Sequence, residues 1–391
     1  MKAVKAMIIG LTALLCACAG GKGTTLTLTN NLDIDRVDYP VLVKDVPEWA
    51  VSAVVTVNGE EVASQIDLID GAKELAFVCN IPANSEVKAE IAYSEEPGKE
   101  YTPRVFAEMF LKLPNGEMEE RDMIEGFEDN MYNALHHHGP AFETDLAAYR
   151  IYFDNKQTVD IYAKIEPGLE IEDTRWYPSQ EQMDAGYGDD VLVVYGTIGL
   201  GTLKAWDKEL QAAVHIKEFT RREARILAYG PVRTVAQMRV EGWGLDGKKI
   251  NCTSRYIMYA GHRDVEIENI FEGDTEGLTF CTGVMKMKNS TSHITDDALA
   301  VWGRDIPRTD IPGIAEEWCG LGVYVPAAIR QAQTEDRSNH VALLTPDAEG
   351  KICYSMTFSA AKENFGYDDA ESFYKYIDQW SYELNNPVII K

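Results

Sequence analysis

Positive charge is scarce in this sequence. Among 391 residues, 37 are Lys or Arg and 63 are Asp or Glu, a formal balance of −26. Nucleic-acid backbones are held by clustered cations, so nucleic acid is excluded as a general partner. Long apolar runs are equally scarce. The one at residues 6–17 is shorter than the ~20 residues that a membrane-crossing helix needs. Beyond Cys18 there are five cysteines: Cys79, Cys252, Cys281, Cys319 and Cys353. Their odd number and the lack of a C-x-x-C pair speak against a zinc ribbon. An oxidising compartment would permit one or two disulfides, but scattered cysteines more often serve as small buried hydrophobes. There is no G-x-S-x-G elbow, no H-E-x-x-H and no phosphate-binding loop, and Gly199-Leu200-Gly201-Thr202 is too short to count as a dinucleotide fingerprint. Repeats of fixed period and low-complexity tracts are missing too. What remains is ordinary globular material, 45% hydrophobic and 26% charged, long enough for two or three domains.

The amino terminus reads as an address. Lys2 and Lys5 precede the apolar run, which ends in Leu15-Cys16-Ala17-Cys18. Leu at −3 and Ala at −1 from Cys18 resemble a bacterial lipobox. The expectation is a signal peptide over residues 1–17, an acylated Cys18 and a flexible tether over residues 18–23. A plain secretory signal with two incidental cysteines is the alternative.

The body reads as strands. Residues 24–29 alternate strictly as TTLTLT, and Asn58-Gly59 between β-prone flanks signals a hairpin. Residues 75–79, 87–93 and 105–113 continue the pattern, the last ending in Pro114-Asn115-Gly116. Residues 148–153, 158–165 and 191–195 look extended, and residues 213–271 give nearly continuous β signal with a turn at residues 245–248. Helix signals are few. The clearest spans residues 369–384, where Phe373, Tyr376, Ile377 and Trp380 share a face. The expected fold is mainly β, an antiparallel sandwich with few helices and a C-terminal one. An N-terminal strand region (residues 24–120) and a larger one (residues 121–391) are expected to form one continuous unit.

Three of the seven histidines stand together at His136-His137-His138. In an extended segment His136 and His138 would share a face, placed for proton transfer near neutral pH or for a divalent metal such as Zn²⁺, whereas Ca²⁺ would belong to the carboxylate-rich loop at residues 172–190. Nothing in the spacing identifies further ligands. Arg150 and Tyr152 would point to one side of a strand and Tyr149 to the other. Arg150 could clamp a uronate carboxylate and Tyr152 could donate a proton, although a strand Arg also pairs with a neighbouring Asp. Residues 172–190 read as a loop rich in rings and carboxylates. Trp176 and Tyr187 are candidate sugar platforms, and Asp189 and Asp190 candidate hydroxyl ligands. His262 and Arg263, beside Asp264, form a second polar cluster, with a cross-strand structural role as the alternative.

Ile226-Leu227-Ala228-Tyr229-Gly230-Pro231-Val232-Arg233-Thr234 and Ser254-Arg255-Tyr256-Ile257-Met258-Tyr259-Ala260-Gly261-His262-Arg263-Asp264-Val265 resemble sheet segments of the galactose-mutarotase-like supersandwich. His136-His137-His138-Gly139-Pro140-Ala141-Phe142-Glu143, Ala148-Tyr149-Arg150-Ile151-Tyr152-Phe153-Asp154, Gly196-Thr197-Ile198-Gly199-Leu200-Gly201 and Cys281-Thr282-Gly283-Val284-Met285-Lys286 are similar to a Bacteroidetes lipoprotein family of unknown function (domain of unknown function family 4861), found beside polysaccharide-degrading enzymes. The resemblance implies an exported lipoprotein on an oligosaccharide, held to the membrane through Cys18. No Asp stands immediately after Cys18 and no acidic run follows it, so the outer-surface export tag of such lipoproteins is missing and the periplasmic face is favoured over the cell surface. The expected chemistry is β-elimination or hydrolysis, elimination preferred on the His, Tyr and Arg types. A non-catalytic glycan-binding protein and a sugar epimerase or mutarotase are the alternatives. Oligomeric state is open.

Overall fold

The computed structural model describes residues 23–127, 131–309 and 313–391. The expected signal peptide, Cys18 and most of the expected tether lie outside the described residues. Two sheets at the amino-terminal end face each other. One carries Thr24–Asn30, Ser52–Val57, Glu60–Val62 and Ser85–Ser94, with Ile389–Ile390 from the far end of the chain at its edge. The other carries Arg36–Val43, Ser64–Ile69 and Ala72–Ile81. Alternation drives this pairing. Leu28, Val55, Phe77, Val87, Ala89 and Ile91 point inward and are buried, while intervening residues such as Lys88 and Glu90 stay in water. Asn58 and Gly59 both adopt positive φ, as the hairpin between Ser52–Val57 and Glu60–Val62 requires.

The larger body is sandwich-like. A nine-stranded antiparallel sheet runs in the order Met123–Gly126, Arg221–Tyr229, Arg233–Leu245, Lys248–Tyr259, Val265–Glu272, Lys351–Ala360, Glu317–Tyr324, Ala298–Asp305 and Lys288–Ile294. Its inner face packs against two five-stranded sheets, and Met238, Tyr256, Met356, Tyr149, Ile161, Phe280 and Leu344 belong to one continuous core. The strand Val105–Glu108 pairs with Ala141–Thr144, so it belongs to this body. On the outer face lies the helix Ala370–Asn385. Asp369 caps it by accepting from the Ser372 N–H at 2.7 Å, and Phe373, Ile377 and Trp380 pack onto Ala300, Trp302 and Tyr324.

The fold is thus mainly β, as the alternation implies, with a C-terminal helix where the periodicity places it. Three local expectations are corrected. Residues 191–195 are not a strand; only Asp189–Asp190 pairs there. The loop around residues 172–190 holds two short helices, Ile171–Thr174 and Gln180–Asp184, the second closed by a Ser179–Gln182 capping box. The histidines do not form an extended run. They make a single 3₁₀ turn in which His137 and His138 have φ of 43° and 67°. The five described cysteines are all free, four of them buried. No helix among the described residues is long and apolar enough to cross a membrane.

Candidate active site

The sheet made of Val105–Glu108, Ala141–Thr144, Ala148–Ile151, Val159–Ala163 and Asp189–Asp190 turns Tyr149 and Ile161 into the core. Its other face therefore presents Arg150 and Asp160, which stand directly opposite each other in the register. The loop at residues 164–190 roofs this face. Glu143 anchors it by accepting from the Glu170 and Ile171 N–H groups and from Lys164 Nζ at 2.5 Å. Trp176 and Tyr177 come down from that roof.

Arg150 is the hub. Its Nε and Nη2 donate to Asp160 Oδ2 at 3.1 and 2.7 Å, Nη2 also reaches Asp190 Oδ2 at 3.3 Å and Tyr152 Oη at 2.9 Å, and Nη1 donates to Tyr177 Oη at 2.8 Å. The guanidinium lies 4.6 Å from the Trp176 ring and 4.9 Å from that of Tyr152. Both carboxylates are used on both oxygens. Asp160 Oδ1 accepts from the Ile161 N–H, and its Oδ2 also takes the Tyr152 hydroxyl at 2.5 Å. Asp190 Oδ1 takes the Trp176 indole N–H at 2.5 Å. Burial pushes the Asp190 carboxyl well above the usual carboxylate range against the pull of Arg150.

A cavity of about 460 Å³ opens beside this network, lined by Tyr132, His138, Tyr152, Tyr177 and Arg308 together with the Arg150 cluster. That lies within the ~300–1,000 Å³ usual for small-molecule sites. The His138 imidazole stacks on Tyr132, with centroids 3.5 Å apart and planes within 7°. Its Nδ1 bonds the Tyr132 carbonyl at 2.8 Å, so Nδ1 carries the proton and Nε2 keeps its lone pair. Nε2 has no hydrogen bond to a described residue. Burial, opposed by the Tyr132 bond and helped by Arg150, pushes the imidazole down to about 4. His138 is therefore a neutral base at physiological pH. The Tyr177 ring faces it edge-on at 6.4 Å. The Tyr177 oxygen accepts from Arg150, which leaves its own O–H to donate into the cavity.

The three histidines have three fates. His136 Nε2 donates to the Arg175 carbonyl at 3.1 Å and props the loop. His137 is fully buried, with Nε2 2.7 Å from Glu108 Oε1, while the other Glu108 oxygen takes Arg175. Only His138 faces the cavity. Several other expectations change as well. Arg150 is engaged by Asp160 and Asp190, so it is not available as an open clamp for a carboxylate. Tyr152 spends its proton on Asp160. Trp176 is wholly buried and cannot be a sugar platform. Tyr187 stands outside this cavity with its hydroxyl on Asp173. Asp189 accepts from the Asp190 N–H and lies 3.8 Å from Arg308. Among the described residues no three His, Cys, Asp or Glu side chains are grouped to hold a metal ion. Asp160, Tyr132, Tyr177 and Arg308 were not singled out from sequence. Tyr177 lies inside the ring-rich loop at residues 172–190, and Asp160 leaves a trace as a charge inside the otherwise apolar strand Val159–Ala163.

His262 and Arg263 belong elsewhere. His262 bonds Asp264 at 3.1 Å and the Asp38 carbonyl at 2.9 Å, tying the amino-terminal sandwich to the large sheet. Arg263 pairs with Glu363 at 2.9 Å. Burial opposes charge on His262, but Asp264 and the Asp38 carbonyl outweigh it and hold the imidazole up to about 9. A histidine whose pKa is raised by folding stabilises fully below its unfolded value, ~6.5, and that contribution is lost as pH climbs through the folded value. Urea unfolding of the wild type and of His262→Gln is therefore expected to show a stability gap that is widest below about pH 6.5, narrows through neutrality and closes by about pH 9. A gap independent of pH would contradict the charged state.

A family profile described as "Domain of unknown function (DUF4861)" matches residues 28–390. No curated protein is similar in sequence. Among solved structures, a protein in the glycosyl hydrolase family 38 from Enterococcus faecalis is 10% identical with a TM-score of 0.46, over 95% of this chain and 48% of that one. An alpha-mannosidase from Enterococcus faecalis V583 is 10% identical with a TM-score of 0.47, over 95% and 46%. The chain spans about half the length of either, and similarity at this level says nothing of what it acts on.

Proposed function

The chain belongs to the DUF4861 family, and from that premise we propose that the cavity at His138 is the active site of a carbohydrate-active enzyme that cleaves a uronate-containing oligosaccharide by β-elimination. The observation that carries this reading is the pairing of a neutral, unengaged His138 Nε2 with a Tyr177 hydroxyl whose oxygen is polarised by Arg150. His138 removes the C5 proton. The C4–O bond breaks as C4 and C5 form a double bond, and the departing oxygen takes the Tyr177 proton. Arg308 on the cavity wall and Arg150 behind it supply positive potential for the substrate carboxylate, and Asp190 is pushed toward its neutral form. The Tyr132, Tyr152 and Tyr177 rings suit the C–H faces of a sugar. Hydrolysis fits less well, because it needs carboxyl groups free to act as acid and nucleophile or base. Every oxygen of Asp160 and Asp190 already has a donor.

The test is incubation of the protein with uronate-containing and neutral oligosaccharides, with and without EDTA. The expected product has the ultraviolet absorbance of an unsaturated uronate and no added water, and EDTA does not matter. A gain of water without absorbance would replace elimination by hydrolysis. Binding without any product would leave a glycan-binding protein, and a stereochemical change at constant mass an epimerase.

The same reading includes export and anchoring through an acylated Cys18, on the periplasmic face. Wild-type protein is expected in the membrane fraction and Cys18→Ala in the soluble fraction. Equal partition of the two would remove the anchor from the proposal.

A further inference from the structure

A second hollow lies between the amino-terminal sandwich, the outer face of the nine-stranded sheet and the helix Ala370–Asn385. Two cavities of about 400 and 310 Å³ adjoin there and share Ile257, Tyr259 and Glu266. Most ionic groups around it are matched. Arg36 pairs with Glu383 at 2.7 Å, Arg233 with Asp67 at 2.6 Å and Glu74 at 2.9 Å, Arg263 with Glu363, and His262 with Asp264. Two lining groups have no partner among the described residues, the exposed Lys44 and Glu266; Glu266 is the one carboxylate of the pair and the one that lines both cavities. Among the described residues its carboxylate has no hydrogen bond and no ion pair. Its side chain is exposed to solvent from within the groove. Burial, with Asp264 adding to it and His262 and Arg233 opposing, pushes its carboxyl up to about 7.

The surrounding walls are apolar and aromatic, from Pro40, Leu384 and Pro387 to Tyr39 and Trp380. An unmatched carboxylate in such a groove complements a cation that carries its own apolar surface. The charge meets Glu266, and the rings and aliphatic walls cover the rest. A bare metal ion would need further oxygen or nitrogen ligands, and no such group of acidic, histidine or cysteine side chains occurs among the described residues. The net charge of −26 favours the arrival of cations. We propose that this groove binds an organic ammonium ion, a protonated amine on an apolar stem, with Glu266 as its counter-charge.

The site is independent of the cavity at His138, so it stands or falls separately. Calorimetric titration of the full chain with n-hexylammonium and with n-hexanol tests it. The ammonium ion is expected to bind at least about tenfold more tightly than the alcohol, which corresponds to ~1.4 kcal/mol. Glu266→Gln is expected to bring the ammonium ion down to the level of the alcohol, and His138→Gln to leave amine binding unchanged. Because the Glu266 side chain has no partner to lose and its ionised form is disfavoured in the fold, Glu266→Gln should unfold no lower than the wild type, so lost binding would not reflect misfolding. Three results would overturn the proposal: no binding of hexylammonium, equal affinity for amine and alcohol, or amine binding that survives in Glu266→Gln.

Discussion

Arg150→Met is expected to cost about 3–5 kcal/mol of stability, because it breaks a buried ionic cluster by removing the only cation at its centre. Arg150 is 4% exposed, and its guanidinium gives hydrogen bonds to Asp160, Asp190, Tyr152 and Tyr177. Methionine fills the volume and offers no donor. Two buried carboxylates are then left facing each other with only the Ile161 N–H, the Trp176 indole and the Tyr152 hydroxyl as partners. The pH dependence has a definite sign. Burial already pushes Asp190 upward, and Arg150 opposes it. With Arg150 gone that opposition ends, so the defect is expected to be largest at neutral and alkaline pH. It should ease as pH falls and the carboxyl takes up its proton. Urea unfolding from pH 5 to pH 8 checks this. A second variant separates charge from volume. Arg150→Met combined with Asp160→Asn and Asp190→Asn removes the unpaired charges and should recover part of the loss. A loss below ~1 kcal/mol in the single variant would mean that water, not protein, satisfies these carboxylates.

That cluster also shows where sequence reasoning stops. The alternation at residues 148–153 separates Tyr149 from Arg150, and the structure keeps the two on opposite faces. Which carboxylate meets Arg150 depends on register, set by how residues 152–158 turn, and the pairing of Arg150 with Asp160 follows from it. No local pattern carries that information. Trp176 failed for a related reason. An aromatic residue in a polar loop looks like an exposed platform, but here the loop folds down and the indole becomes a donor to Asp190. Arg175 and Trp176 both sit at positive φ, 49° and 71°, and this is the bend that turns the ring inward. The histidines are the clearest case. An extended chain would have paired His136 with His138. The turn at His137 and His138 sends one ring to Glu108, one to the Arg175 carbonyl and one to the cavity. By contrast, strict alternation at residues 24–29, Asn58-Gly59 and the apolar face of residues 369–384 are short-range signals, and each formed where it was read.

Of the three rings, only His138 lines the cavity, and its Nε2 is left over for chemistry, so the largest effect on turnover is expected there. His138→Gln should lower kcat by about 10²–10⁴-fold, the range for loss of one general base, while the fold and sugar binding persist. The glutamine fills most of the ring's volume but has no basic nitrogen. The wild-type rate should fall only as pH drops toward about 4, because the base works unprotonated and His138 holds that value. A rate that instead fell near pH 6.5 would mean a histidine in water, not one stacked on Tyr132 and bonded to its carbonyl. Tyr177→Phe supplies the complementary result. It keeps the ring and removes the proton donor, so kcat should fall while KM changes little. Its effect should shrink with substrates whose leaving oxygen is less basic, since such a group departs without help. An unchanged rate in His138→Gln would assign the proton transfer to another group. Equal losses in Tyr177→Phe for good and poor leaving groups would reduce Tyr177 to a residue that positions Arg150.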